Sequence, residues 1–87
     1  MKMLLTGVGK GFGRAYLEHL AKNNKFEILG VTRNLEDFDD DVIEFFRKKN
    51  VMLRSADLSC ANSTKNFINE NVSFLNNVNI LINNAGQ

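Results

Sequence analysis

Proline is missing from the 87 residues and glycine numbers only six, which excludes collagen-like and proline-rich extended architectures. The single cysteine, Cys60, cannot close a disulfide within the chain, so a stapled secreted scaffold is excluded. Charge of one sign is not in excess. Eleven Lys and Arg against ten Asp and Glu leave +1, a balance that points to neither a nucleic-acid nor a membrane-surface partner. No long hydrophobic run is present: Met3-Leu4-Leu5 is too short for a signal peptide or a membrane span, and Gly7 and Lys10 follow at once. A soluble cytoplasmic chain is therefore expected. The one histidine, His19, has no neighbouring cysteine or carboxylate ladder, and the acidic run from Glu36 to Glu44 lacks the glycine of a calcium loop, so no metal site is expected. What remains is 44% hydrophobic and 24% charged residues, an ordinary globular balance. Residues 1–87 are read as a single, partial domain. A domain of this size buries only about 60% of the surface its unfolded chain exposes.

Two periodicities alternate along the chain. Lys2 to Thr6 is a short apolar run ended by glycine and predicts a buried strand. From Phe12 to about Lys22, Phe12, Tyr16 and Leu20 recur at helical spacing, with Leu17 and Ala21 beside them and Asn23-Asn24 as a stop. Phe26 to Thr32 predicts a second strand, and Arg33 to Phe38 a loop. Asp39, Asp40 and Asp41 open a helix that Arg47, Lys48 and Lys49 close, which suits the helix dipole. Val51 to Ala56 is a third strand. Ala61 to Asn71 is a third helix with Phe67 and Ile68 inward, Val72 to Leu75 is helix extension or loop, and Val78 to Ile82 is a fourth strand. The order β-α-β-α-β-α-β requires parallel strands with right-handed crossovers. It is the first half of a doubly wound α/β fold, with expected strand order 3-2-1-4.

The segment Gly7-Val8-Gly9-Lys10-Gly11-Phe12-Gly13 falls between the first strand and the first helix. Glycines there permit positive φ and let a ligand approach the main chain. The helix start adds unpaired N–H groups and positive dipole, a setting for an anion. Lys10 and Arg14 place two cations at that helix start, each opposing the dipole by about 0.3–1 kcal/mol unless a phosphate compensates or solvent screens them.

These residues resemble the short-chain dehydrogenase/reductase family. Thr6-Gly7-Val8-Gly9-Lys10-Gly11-Phe12-Gly13 is similar to its Thr-Gly-x-x-x-Gly-x-Gly coenzyme motif, Asp57-Leu58 to its adenine-binding pair, and Asn83-Asn84-Ala85-Gly86 to its Asn-Asn-Ala-Gly motif. The resemblance covers essentially the whole chain and implies a Rossmann-like sheet and a dinucleotide partner. It implies that Gly7, Gly9, Gly11 and Gly13, with Val8 and Phe12, line the pyrophosphate turn. Asp57 would accept a hydrogen bond from the adenine amino group beside Leu58, Asn83 and Ala85 would flank the adenosine ribose, and Asn84 and Gly86 would hold the strand end. NAD-preferring sites place a carboxylate at the end of the second strand. Here that end reads Val31-Thr32-Arg33-Asn34, and the first acids, Glu36 and Asp37, come later. The Arg33 guanidinium matches a phosphate, and in NADP-preferring relatives a basic residue stands where Lys10 does. Lys10, Thr32 and Arg33 therefore predict NADP(H), with NAD as the alternative.

The family's Ser and Tyr-x-x-x-Lys, which supply its acid–base chemistry, are expected downstream of Gly86. The only tyrosine, Tyr16, is followed four residues on by Leu20, not Lys, and is read as core. No catalytic residue is assigned. The leading expectation is the NADP(H)-binding portion of an oxidoreductase that interconverts an alcohol and a ketone once the remainder is supplied, and only then takes a small-molecule substrate. The alternative is a non-enzymatic nucleotide-binding or interaction module. An unpaired Ile80-Leu81-Ile82 edge would favour self-association through the fourth strand.

Overall fold

The computed structural model describes residues 1–23 and 25–84. Strand β1 (Lys2–Thr6) leads through a glycine turn into helix α1 (Gly11–Asn23), and β2 (Glu27–Thr32) follows. A single 3-10 turn (Leu35–Asp37) precedes α2 (Asp40–Lys48), β3 (Val51–Ser55), α3 (Ala61–Glu70), α4 (Val72–Leu75) and β4 (Ile80–Ile82). All pairings are parallel and the sheet order is β3-β2-β1-β4, as the alternation of periodicities predicts.

The register aligns the strands' C-terminal ends along one edge of the sheet. Thr6 lies opposite Val31, Thr32 opposite Ser55, and Leu5 opposite Ile82. The chain therefore leaves all four strands on the same side, where a doubly wound sheet offers a crevice. Strand order reverses between β1 and β4, so the glycine turn sits at that reversal.

Each face of the sheet has its own apolar layer. On one, Met3, Leu5, Ile28, Val51 and Leu53 pack with Leu17, Leu20 and Ala21 of α1 and Phe46 of α2. On the other, Leu29 and Val31 pack with Phe67 of α3 and Ala56, and Leu4, Phe74 and Leu75 lie against them. Strand β2 is buried over five of its six residues because helices cover both of its faces, which is why it reads as a continuous apolar run. Gly30 keeps the first layer close: a Cβ there would lie 3.1 Å from Leu53 Cδ2 and 3.4 Å from Val8 Cγ2.

Several local expectations are corrected. On α1, Leu17, Leu20 and Ala21 face inward as expected, with Gly13 beside them and Tyr16 partly buried against the same layer, but Phe12 does not join them. Phe12 is 69% exposed, and its ring stacks on half-buried Tyr16 with centroids 5.6 Å apart. The apolar stripe is wider than the contact it makes, and docking on β1 selects the edge one residue along. Ile68, expected inward, is 47% exposed, because a ten-residue helix with Phe67 at its contact turns the next residue outward. Val72–Leu75 is a separate turn of helix beyond a break at Asn71, where the side-chain amide donates to the Phe67 carbonyl. The loop read over Arg33 to Phe38 contains the 3-10 turn. Asn50, at φ 62°, turns the chain from α2 into β3, a left-handed position that asparagine tolerates. The expected stop at Asn24 lies outside the described residues.

Helix α2 carries Asp40 and Asp41 in its first turn and Arg47 and Lys48 in its last, as the dipole favours. Among the described residues no helix is long and apolar enough to cross a membrane, and no group of three or more His, Cys, Asp or Glu side chains converges as a metal would need. His19 and Cys60 are both exposed.

Candidate functional site

The glycine turn is shaped by two left-handed residues, Gly7 at φ 70° and Gly11 at φ 64°. Gly13 serves a different end. A Cβ there would be driven into the Gly7 carbonyl oxygen and would stand 2.6 Å from Asn84 Nδ2, so only glycine lets α1 settle onto the turn. Around Gly11 a Cβ would meet nothing within 4 Å, so the cradle is open at the helix start. Val8 is fully buried in the core, and its N–H donates to the Val31 carbonyl at 3.1 Å. Its side chain supports the turn from beneath.

Thr6, at the end of β1, joins this turn to the end of β4. Its hydroxyl donates to Asn83 Oδ1 at 2.8 Å and accepts from the Asn84 N–H at 2.9 Å. Asn84 Nδ2 donates to the Gly7 carbonyl at 3.2 Å. Buried polar groups need partners, and here the partners lie 77 or 78 residues away in sequence.

The opposite wall rises from the ends of β2 and β3. Arg33 reaches across to Asp57, with Nη2 3.5 Å from Oδ1. Ser59 donates to the same Oδ1 twice, from its hydroxyl at 2.6 Å and its N–H at 3.1 Å. The two Ser59 bonds hold the Asp57 carboxyl below the usual carboxylate range, desolvation opposes them, and the nearby Arg33 adds a lesser lowering. The Asp57 N–H donates to Ser63 Oγ at 2.8 Å, which fixes the start of the β3–α3 loop.

Between these walls lies an open cleft of about 1040 Å³ at the C-terminal ends of the strands, on the scale of a large ligand site. Of the residues read from the sequence as coenzyme-binding, Gly7, Gly9, Lys10, Gly11, Phe12, Thr32, Arg33, Asp57, Leu58 and Asn83 line it. Val8 and Gly13 act from behind, and Ala85 lies outside the described residues, as does Gly86. The structure adds Val31, Asn34, Asp37, Ala56, Ser59 and Asn84 to the lining, none of them a ligand contact on the sequence alone. Asp37 is the notable addition. The 3-10 turn folds it back so that a Cβ on Gly9 would stand 3.6 Å from Asp37 Oδ2 and 2.6 Å from Thr32 Oγ1.

Arg14 is not among the residues that line the cleft. Its guanidinium carbon lies 4.2 Å from the Phe38 ring centroid, and Nη1 donates to the Asp37 carbonyl at 3.5 Å. The alternatives of a phosphate ligand or a solvated chain give way to a tether between α1 and the 3-10 turn. The Lys10 side chain makes no hydrogen bond or ion pair among the described residues and stands at the cleft.

Together these parts suit a dinucleotide. The open cradle meets a helix N-terminus for a diphosphate, unpaired Lys10 adds a cation, and a long slot runs from β1 over β2 to β3. The parallel sheet and glycine turn define a Rossmann-like nucleotide-binding fold. The sequence matches the family described as short chain dehydrogenase over residues 1–87, and the chain belongs to that family. No curated protein matches the sequence significantly. Among solved structures it is similar to a short-chain dehydrogenase from Streptomyces avermitilis, with 26% identity and a TM-score of 0.76. That similarity covers 99% of this chain and 31% of that one. A variant actinorhodin polyketide ketoreductase solved with NADPH shares the fold at TM-score 0.76 and 22% identity, covering 99% of this chain and 33% of that one. Menthone neomenthol reductase from Mentha piperita does so at TM-score 0.77 and 19% identity, covering 99% and 31% respectively. The chain thus spans about a third of the length of these structures.

Proposed function

We propose that this chain forms the NADP(H)-binding portion of an oxidoreductase that interconverts an alcohol and a ketone, with the acid–base residues supplied from outside these 87 residues. The observation that carries this reading is the meeting of Lys10 and Arg33 on one cleft whose floor is the glycine turn. The backbone N–H groups at the start of α1 bind the coenzyme's diphosphate, aided by the positive end of the helix dipole. Lys10, Thr32 and Arg33 receive the 2′-phosphate, Lys10 as a point charge and Arg33 as a planar fork. Asp57 offers its second oxygen, Oδ2, to the adenine amino group, since every contact described for it falls on Oδ1. Leu58 flanks the ring, and Asn83 and Ala85 flank the adenosine ribose. The bound nicotinamide supplies or accepts the hydride. The family membership supports oxidoreductase chemistry, and the NADPH held by the actinorhodin ketoreductase supports the choice of coenzyme.

Titration of the purified chain with NADPH and NADH, read by fluorescence or calorimetry, tests the reading. NADPH is expected to bind more tightly. Lys10→Ala is expected to weaken NADPH about tenfold or more, the equivalent of one hydrogen bond to a charged group, and NADH far less. Tighter binding of NADH than of NADPH overturns the coenzyme assignment.

A further inference from the structure

The end of β2 carries no acid, yet a carboxylate besides Asp57 reaches the cleft. Asp37 lines it, five residues beyond the strand, with Oδ2 turned toward Gly9. This acid is held in place by the architecture around it. Phe38 is 3% exposed and anchors the turn in the core, and its N–H donates to the Leu35 carbonyl at 3.0 Å. The Asp37 N–H donates to the Asn34 carbonyl at 3.1 Å. Arg14 lies against the Phe38 ring and binds the Asp37 carbonyl, tying the turn to the first turn of α1. A side chain at position 9 would collide with Thr32, so the glycine there leaves the corner to Thr32 and Asp37.

We propose that Asp37 limits the preference of this cleft for NADP(H) by opposing a 2′-phosphate and accepting a hydrogen bond from a 2′-hydroxyl. The inference rests on the coenzyme reading above. Lys10 and Arg33 favour the phosphate, and Asp37 works against them. Both of its effects act in one direction. Like charge raises the free energy of the phosphorylated ribose, and a carboxylate acceptor lowers that of the free ribose. The site therefore separates NADP(H) from NAD(H) less sharply than Lys10 and Arg33 alone would make it do. Because Asp37 is exposed, its repulsion is screened by salt.

The test compares dissociation constants for NADPH and NADH in the purified wild-type chain, in Asp37→Asn and in Glu36→Gln, at low and at high salt. Glu36→Gln removes the same charge one residue away, from an exposed side chain that does not line the cleft. In Asp37→Asn the ratio of the two constants is expected to move toward NADPH about three- to tenfold at low salt and less at high salt, as for a partly screened charge pair. Glu36→Gln is expected to leave the ratio as in the wild type. An unchanged ratio in Asp37→Asn, or an equal change in Glu36→Gln, overturns the inference while leaving the coenzyme site standing. Failure of the wild-type chain to bind either nucleotide overturns the coenzyme reading and this inference with it.

Discussion

The Thr6 hydroxyl bridges two ends of the chain, donating to Asn83 at 2.8 Å while accepting from the Asn84 N–H at 2.9 Å. Thr6 is 5% exposed, so neither bond is readily replaced by water. Thr6→Val keeps the shape and removes the hydroxyl. It is expected to cost about 1–3 kcal/mol, the usual penalty for orphaning buried polar groups. Thr6→Ser should retain most of that stability. Urea unfolding of the three proteins makes the comparison, and equal midpoints for Thr6→Val and wild type would sink it.

Two glycines of one motif should fail for different reasons. Gly13→Ala drives a methyl into the Gly7 carbonyl and toward Asn84, and overpacking of this kind costs about 1–3 kcal/mol or more. Gly11→Ala meets no atom within 4 Å but must hold φ 64°, at roughly 1–2 kcal/mol. Its methyl would stand in the cradle. Gly11→Ala is thus expected to lose more coenzyme affinity than its modest loss of stability explains, whereas Gly13→Ala loses stability first. Thermal melts with and without NADPH separate the two.

The inward face of α1 can be read by deletion. Leu17 is fully buried, and Leu17→Ala is expected to cost about 2–5 kcal/mol. Phe12→Ala removes a larger side chain that is 69% exposed, and should cost under about 1 kcal/mol, since surface changes usually do. Denaturant midpoints give the order, and equal losses for the two variants would place Phe12 on the inward face.

Asp57 gives a pH dependence whose sign is fixed. Its carboxyl is held below the ordinary range by Ser59 and then Arg33, so the folded state favours the ionised form. The stabilisation is fully present above the ordinary carboxylate range and fades as pH falls through the lowered folded-state value. Ser59→Ala removes the hydroxyl bond and is expected to raise the Asp57 value toward that of a free carboxyl. An NMR titration of the Asp57 carboxyl reads it directly, and an unmoved midpoint would show that Ser59 is not the cause.

Much of this molecule was legible along the chain because local rules wrote it. Runs with period two or 3.6 give the element order, and crossover handedness then leaves one parallel sheet, β3-β2-β1-β4. Gly7 and Gly11 announce left-handed turns, and the acidic and basic ends of α2 announce its limits. The tertiary structure decided what depends on residues far apart. Thr6 meets Asn83 and Asn84 only because β4 pairs with β1. Which edge of the α1 stripe faces inward was settled by docking on the sheet, since Phe12 and Leu17 are equally apolar as letters. Asp37 entered the cleft because a 3-10 turn, anchored by Phe38 and Arg14, folds back toward Gly9. Spacing along a chain encodes the repeat of each element, but the approach of one element to another is set by packing, and packing placed that carboxylate.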